Sequence, residues 1–113
     1  MKIAFFFILT VCVKMAASDI DVNKLANAIY IIEGGKTTKY PYGVKSVVTR
    51  GNRAKARKIC INTIRNTYKR WVEENKPYNF LDYLADRYCP PSVDSIGNAR
   101  WKVNIRKFAV ENT

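Results

Sequence analysis

The sequence predicts a mainly α-helical fold: a small helical domain with one short loop or β-like segment after the first helix. Three observations carry this. Apolar residues recur at spacings of three and four along four separate stretches, which places them on one helix face each time. Asp or Asn opens three of these stretches, where a short side chain can accept the free backbone N–H groups. Glycine or proline closes three of them. The chain has 113 residues, enough for one domain and too few for two.

The first stretch is not part of that domain. Met1-Lys2 is followed by the apolar run Ile3 to Val13, then Lys14 and the small residues Ala16-Ala17-Ser18. The run is shorter than the roughly 20 apolar residues that a membrane span needs. The pattern is that of a secretory signal peptide over residues 1–18, cut after Ala17 or Ser18. The mature domain is then 19–113, secreted or periplasmic, with no stable membrane insertion after cleavage.

Asp19 or Asp21 caps the first helix, whose apolar stripe is Leu25, Ala28, Ile29 and Ile32. Gly34-Gly35 ends it. From Lys36 to Thr49 the chain is irregular or strand-like: Pro41 breaks helix, Gly43 permits a turn, and Val44, Val47, Val48 and Thr49 favour extended backbone. After the turn Arg50-Gly51-Asn52, the longest helix runs to about Asn75. It carries Ala56, Cys60, Ile64, Tyr68 and Trp71 on one face and Arg53, Lys55, Lys58, Arg65 and Lys69 on the other, a solvated one. Asn79 caps a third helix from Phe80 to about Tyr88, and Cys89-Pro90-Pro91 stops it. Asn98 caps a fourth through about Val110, packing Trp101, Ile105 and Phe108.

The chemistry is narrowed by what is missing. There is no histidine, so Ser-His-Asp and Cys-His nucleophilic systems and histidine-bound zinc are excluded. No metal site and no cofactor loop is readable. Cys12 leaves with the signal, and Cys60 and Cys89 remain. Two cysteines in a small exported domain point to one disulfide, with two buried free thiols as the alternative. Such a bridge contributes roughly 3–4 kcal/mol in the chain-entropy picture. Among the acids, Glu73 and Glu74 sit with lysines at a helix end. Asp82 and Asp86 lie on or near the polar side of the third helix, and Asp94 lies in a turn-rich loop. Glu33 differs: it ends an apolar helix beside two glycines. The helix dipole and the apolar flank both favour its neutral carboxyl, as a general acid requires.

From Glu33 onward the chain resembles the lysozyme-like superfamily, in which a helix ends at an essential glutamate. Within it, the chain is similar to the single-glutamate lytic transglycosylases, and more narrowly to small exported or phage-borne proteins of that kind. The resemblance rests on Ile32 to Gly35, Tyr40-Pro41-Tyr42-Gly43-Val44, Ile59 to Thr63, Arg87-Tyr88-Cys89-Pro90 and Trp101-Lys102-Val103-Asn104. The longer Gly-Leu-Met-Gln segment of full transglycosylases is absent. The resemblance implies Glu33 as general acid/base, Tyr42 and Gly43 as a turn lining the groove, Tyr88 near the scissile sugar, and Asn104 as a further site residue. The implied partner is the peptidoglycan glycan strand and the implied activity a glycosidase or lytic transglycosylase, with no cofactor. Asp94 is the remaining candidate for a second carboxylate.

Loss of Lys2 and Lys14 takes the net charge from +11 to about +9, which draws a small domain to polyanions. Charge alone supports a different class, a non-enzymatic basic protein that binds cell walls or acts against bacteria, with a degenerate lysozyme-like fold. A nucleic-acid partner is not expected, because the aromatic residues fall on apolar faces rather than among the basic ones. The domain reads as a monomer.

Overall fold

The computed structural model describes residues 20–45 and 51–111. The proposed signal segment, and Val47, Val48 and Thr49, lie outside the described residues. The molecule is mainly helical, with four helices and no strand among the described residues. Helix α1 spans Val22–Ile32, α2 Arg53–Glu73, α3 Phe80–Tyr88 and α4 Ser95–Arg106. A five-residue π-helical turn, Lys107–Glu111, continues α4. Among the described residues the β-like segment is instead a pair of 3-10 turns, Gly35–Thr37 and Pro41–Gly43.

Local sequence sets most of these boundaries. Asp21 caps α1 by accepting from the Lys24 N–H, and Asn52 caps α2 by accepting from the Lys55 N–H. Asn79 caps α3 through the Leu81 N–H. Beyond α1, Gly34 takes a left-handed φ of 111° that a side chain disfavours. The fourth helix corrects the prediction. Asp94, not Asn98, is its cap, accepting from the Gly97 N–H at 2.8 Å. Asn98 lies one turn inside and is buried, where its amide donates to Asp86 and to the Cys89 carbonyl. Both residues can cap; the part-buried acceptors on α3 and just beyond it take Asn98.

Helix α1 is central. It packs against α2, α4, the Pro41–Gly43 turn and the C-terminal π turn, while α3 bridges α2 and α4. Ile29, Ile64, Leu84 and Ile105, one from each helix, are fully buried, and truncation of such a side chain to alanine costs about 2–5 kcal/mol. At one end Tyr68, Trp71 and Phe80 meet with ring centroids 5.2–5.5 Å apart. Two charged contacts staple α3 to α4: Arg106 to Asp82 at 2.7 Å and Lys102 to Asp86 at 3.4 Å. The two acids read as lying near the polar side of α3 therefore face its neighbour.

Candidate active site around Glu33

Glu33 is the C-cap of α1, and its N–H still donates to the Ile29 carbonyl at 2.9 Å. The last turn of the helix thus fixes where the side chain starts. Its carboxyl is then held from two sides. Trp101, buried on α4, donates its indole N–H to Glu33 Oε2 at 3.1 Å. Gly43 approaches from the Pro41–Gly43 turn. A methyl group built on Gly43 would lie 2.9 Å from Oε1 and 3.0 Å from Cδ, and Gly43 has a φ of 73°. Only glycine meets both demands at that position.

The turn that carries Gly43 is itself pinned. Tyr42 has a left-handed φ of 61°, uncommon for a residue with a side chain. Its ring packs on Tyr30 at 5.1 Å, and its hydroxyl accepts from Arg57 at 3.0 Å. Arg57 also donates to Asn27 and Asn23 of α1, so one guanidinium ties α2 to α1 and to the turn. Tyr42, implied as a groove residue, is buried at 4 % exposure and acts as a support beneath the site.

Glu33 opens onto a cavity of about 310 Å³ lined also by Ile32, Tyr88, Arg100, Trp101 and Asn104. Three residues singled out in the sequence, Glu33, Tyr88 and Asn104, therefore share one cavity, and Gly43 touches the first of them. Tyr88 stacks on Trp101, with centroids 5.3 Å apart and planes 15° from parallel. Its hydroxyl donates to Cys60 Sγ at 3.4 Å. Burial pushes the Tyr88 phenol well above its usual range, and Cys60 and Glu33 push the same way. Tyr88 is therefore a neutral wall rather than a base. Asn104 makes no side-chain hydrogen bond with the described residues, so its amide is available to a ligand.

The expected Cys60–Cys89 disulfide is not formed; both thiols are free. Cys60 sits in the buried stripe of α2 and takes the Tyr88 hydroxyl as its partner. Cys89 is the C-cap of α3 and turns its thiol to the Asp94 carbonyl. Burial raises the Cys60 thiol, opposed by the Tyr88 hydrogen bond and Arg57. Burial, then Asp94 and Glu33, raises Cys89. Asp94 is engaged as the α4 cap and does not line the cavity. Among the described residues Glu33 is the one carboxylate that does.

Sequence reasoning placed Trp101 in the core and passed over Arg57 and Arg100. The spacing of Trp101 and Asn104 carried the missing signal, since residues three apart share a helix face. Nothing local marks Arg57, whose partners lie 15 to 34 residues away. Among the described residues no cluster of metal-ligating side chains forms, and no helix is long and apolar enough to cross a membrane. Compared with family models, curated proteins and solved structures, the chain matches none.

Proposed function

We propose that this protein is a lysozyme-like enzyme that cleaves the glycan strand of peptidoglycan, with Glu33 as its single general acid/base. The observation that carries this is the seating of Glu33: a helix-end carboxyl between an indole N–H and a glycine, facing a cavity with a free amide. The Trp101 N–H occupies Oε2, which leaves Oε1 as the oxygen to pass on a proton. Glu33 gives that proton to the glycosidic oxygen. The C1–O bond breaks with its electron pair going to oxygen, and an oxocarbenium-like centre is left at C1.

Paired-carboxylate glycosidases set a second acid across the bond. The cavity offers none among the described residues, which favours closure by the substrate itself. The C6 hydroxyl oxygen bonds to C1 as the Glu33 carboxylate takes its proton. The products are an anhydro sugar and a new hydroxyl end, with no water consumed. The stacked Tyr88–Trp101 pair forms an aromatic wall and Asn104 supplies a hydrogen-bonding group.

Mass spectrometry of fragments released from purified peptidoglycan tests this. Wild type is expected to release fragments with anhydro ends. Glu33→Gln, equally folded by circular dichroism, is expected to fall by about 100- to 10,000-fold, the usual contribution of a general acid. Equal release by both proteins overturns the assignment, and hydrated ends reassign the second step to water. The second reading, a basic wall-binding protein without activity, draws on the net charge of +11. It predicts retention on cell walls that falls steeply with salt and ignores Glu33→Gln.

A further inference from the structure

Helix α4 is apolar along a line where a surface helix ordinarily carries charge. Five large apolar or aromatic side chains are exposed among the described residues, and three of them belong to α4 or to the turn before it. These are Val93, Ile96 and Val103, at 82 %, 69 % and 65 % exposure. Ile96, Arg100, Val103 and Lys107 follow one another at spacings of four, three and four, so they form one line along the helix. Ile105, on the opposite face, is fully buried. Arg100 and Lys107 are both exposed, so cations alternate with aliphatic side chains along that line. Helix α2 differs: its exposed residues are polar or alanine. The turn before α4 is held firmly. The Val93 and Asp94 N–H groups both donate to the Pro90 carbonyl, at 3.0 and 3.1 Å, and Pro90-Pro91 fix two φ angles. The acid at this end, Asp94, is engaged on the Gly97 N–H.

We propose that this line is a docking surface for an anionic lipid bilayer, with α4 lying along the headgroups. Val93, Ile96 and Val103 enter the acyl boundary, while the Arg100 and Lys107 stems carry their charges to the headgroup phosphates. The alternation suits lipid better than a second protein. Three aliphatic side chains fall far short of the roughly 20–30 residues a side of a stable protein interface, and lysine is depleted in such interfaces. The contact is peripheral, because it uses one face of one 12-residue helix. The net charge of +11 draws the chain to any anionic surface, and the α4 line decides which side faces it. Arg100 also lines the Glu33 cavity, so docking sets that cavity beside the bilayer. Docking asks nothing of the Glu33 carboxyl and is therefore tested apart from cleavage.

The test is co-sedimentation of the protein with phosphatidylcholine vesicles, with and without phosphatidylglycerol, at about 0.15 M salt. Binding is expected only with phosphatidylglycerol, and Glu33→Gln should bind as wild type does. Ile96→Gln combined with Val103→Gln removes no charge and keeps good helix formers. That pair should weaken binding at least about tenfold, through loss of the inserted apolar surface. Arg100→Gln combined with Lys107→Gln should weaken it by about tenfold or more. Lys58→Gln combined with Lys69→Gln removes the same charge from the solvated face of α2 and should stay within about twofold of wild type. Equal weakening by the two charge pairs, or full binding by the Ile96 and Val103 pair, overturns the surface in favour of diffuse attraction. A dimer in sedimentation velocity that the Ile96 and Val103 pair abolishes overturns it in favour of a second copy of this chain.

Discussion

Two glycines with the same backbone angle separate geometry from chemistry at the residue scale. Gly43 and Gly51 both have a φ of 73°, but a methyl group on Gly51 meets nothing, whereas on Gly43 it meets the Glu33 carboxyl. Each alanine substitution costs about 1–2 kcal/mol for the left-handed backbone. Denaturant unfolding should show that loss in both variants. Only Gly43→Ala should also displace Glu33 and abolish fragment release; retained release would mean that the contact does not position the acid. Trp101→Phe probes the other side. It keeps a ring for Tyr88 to stack on and removes the N–H that Glu33 Oε2 accepts. That bond strengthens as Glu33 gives up its proton and becomes a carboxylate, when it is worth about 1.5–3 kcal/mol, so release should fall about 10- to 100-fold with the fold intact. The thiols give a third reading at this scale. Mass spectrometry after alkylation should find both Cys60 and Cys89 free, with Cys89 modified slowly in the native protein and Cys60 only on unfolding. A linked pair in the purified native protein would contradict the arrangement at Tyr88.

Helix ends were legible where the signal is local, and the joints between helices were not. Asn79 and Cys89-Pro90-Pro91 bracket α3, which runs Phe80–Tyr88 as the sequence predicts. Gly34-Gly35 likewise places Glu33 at the end of α1. The start of α4 was ambiguous because Asp94 and Asn98 stand one turn apart and both cap well. Its resolution depends on Asp86, which no local pattern links to Asn98. That joint has a pH signature. Burial pushes the Asp86 carboxyl up, but hydrogen bonds from Tyr78, Asn98 and Lys102 outweigh it and hold the group below its ordinary value. A depressed folded-state value stabilises above the unfolded one, near 3.8, and that stability is lost as pH falls through the folded value. Tyr78 runs the other way. Its hydrogen bond to Asp86 comes first among the causes that push the phenol up to about 12 from 10.0. Its share is intact below the unfolded value and is lost as pH rises from 10.0 toward about 12. Asp86→Asn should therefore melt below wild type at neutral pH, with the gap closing in acid. A pH-independent gap would locate the loss in packing instead.

Charge and site belong to different parts of the molecule, and they can be separated experimentally. The apolar stripes of four helices were readable as a fold class because each helix buries one face against its neighbours. The contact that defines the site was not readable, since Trp101 and Glu33 are 68 residues apart in sequence. The net charge of +11 sets a field over the whole surface that concentrates the protein on anionic polymers without orienting it. On the proposed function the Glu33 cavity orients the substrate, and it is small, near the low end of the roughly 300–1,000 Å³ range of ligand sites. Retention and turnover should therefore respond to different variables. Co-sedimentation with cell-wall sacculi should drop steeply between about 0.05 M and 0.5 M salt, where the screening length shortens from about 14 Å to about 4 Å. Wild type and Glu33→Gln should follow the same curve. Fragment release per bound molecule should stay constant across that range in wild type and stay near zero in the variant. If release per bound molecule falls with salt as steeply as retention does, the basic surface takes part in presenting the strand to Glu33. In that case the exposed Arg100, which lines the cavity beside Glu33, is the nearest cation to do so.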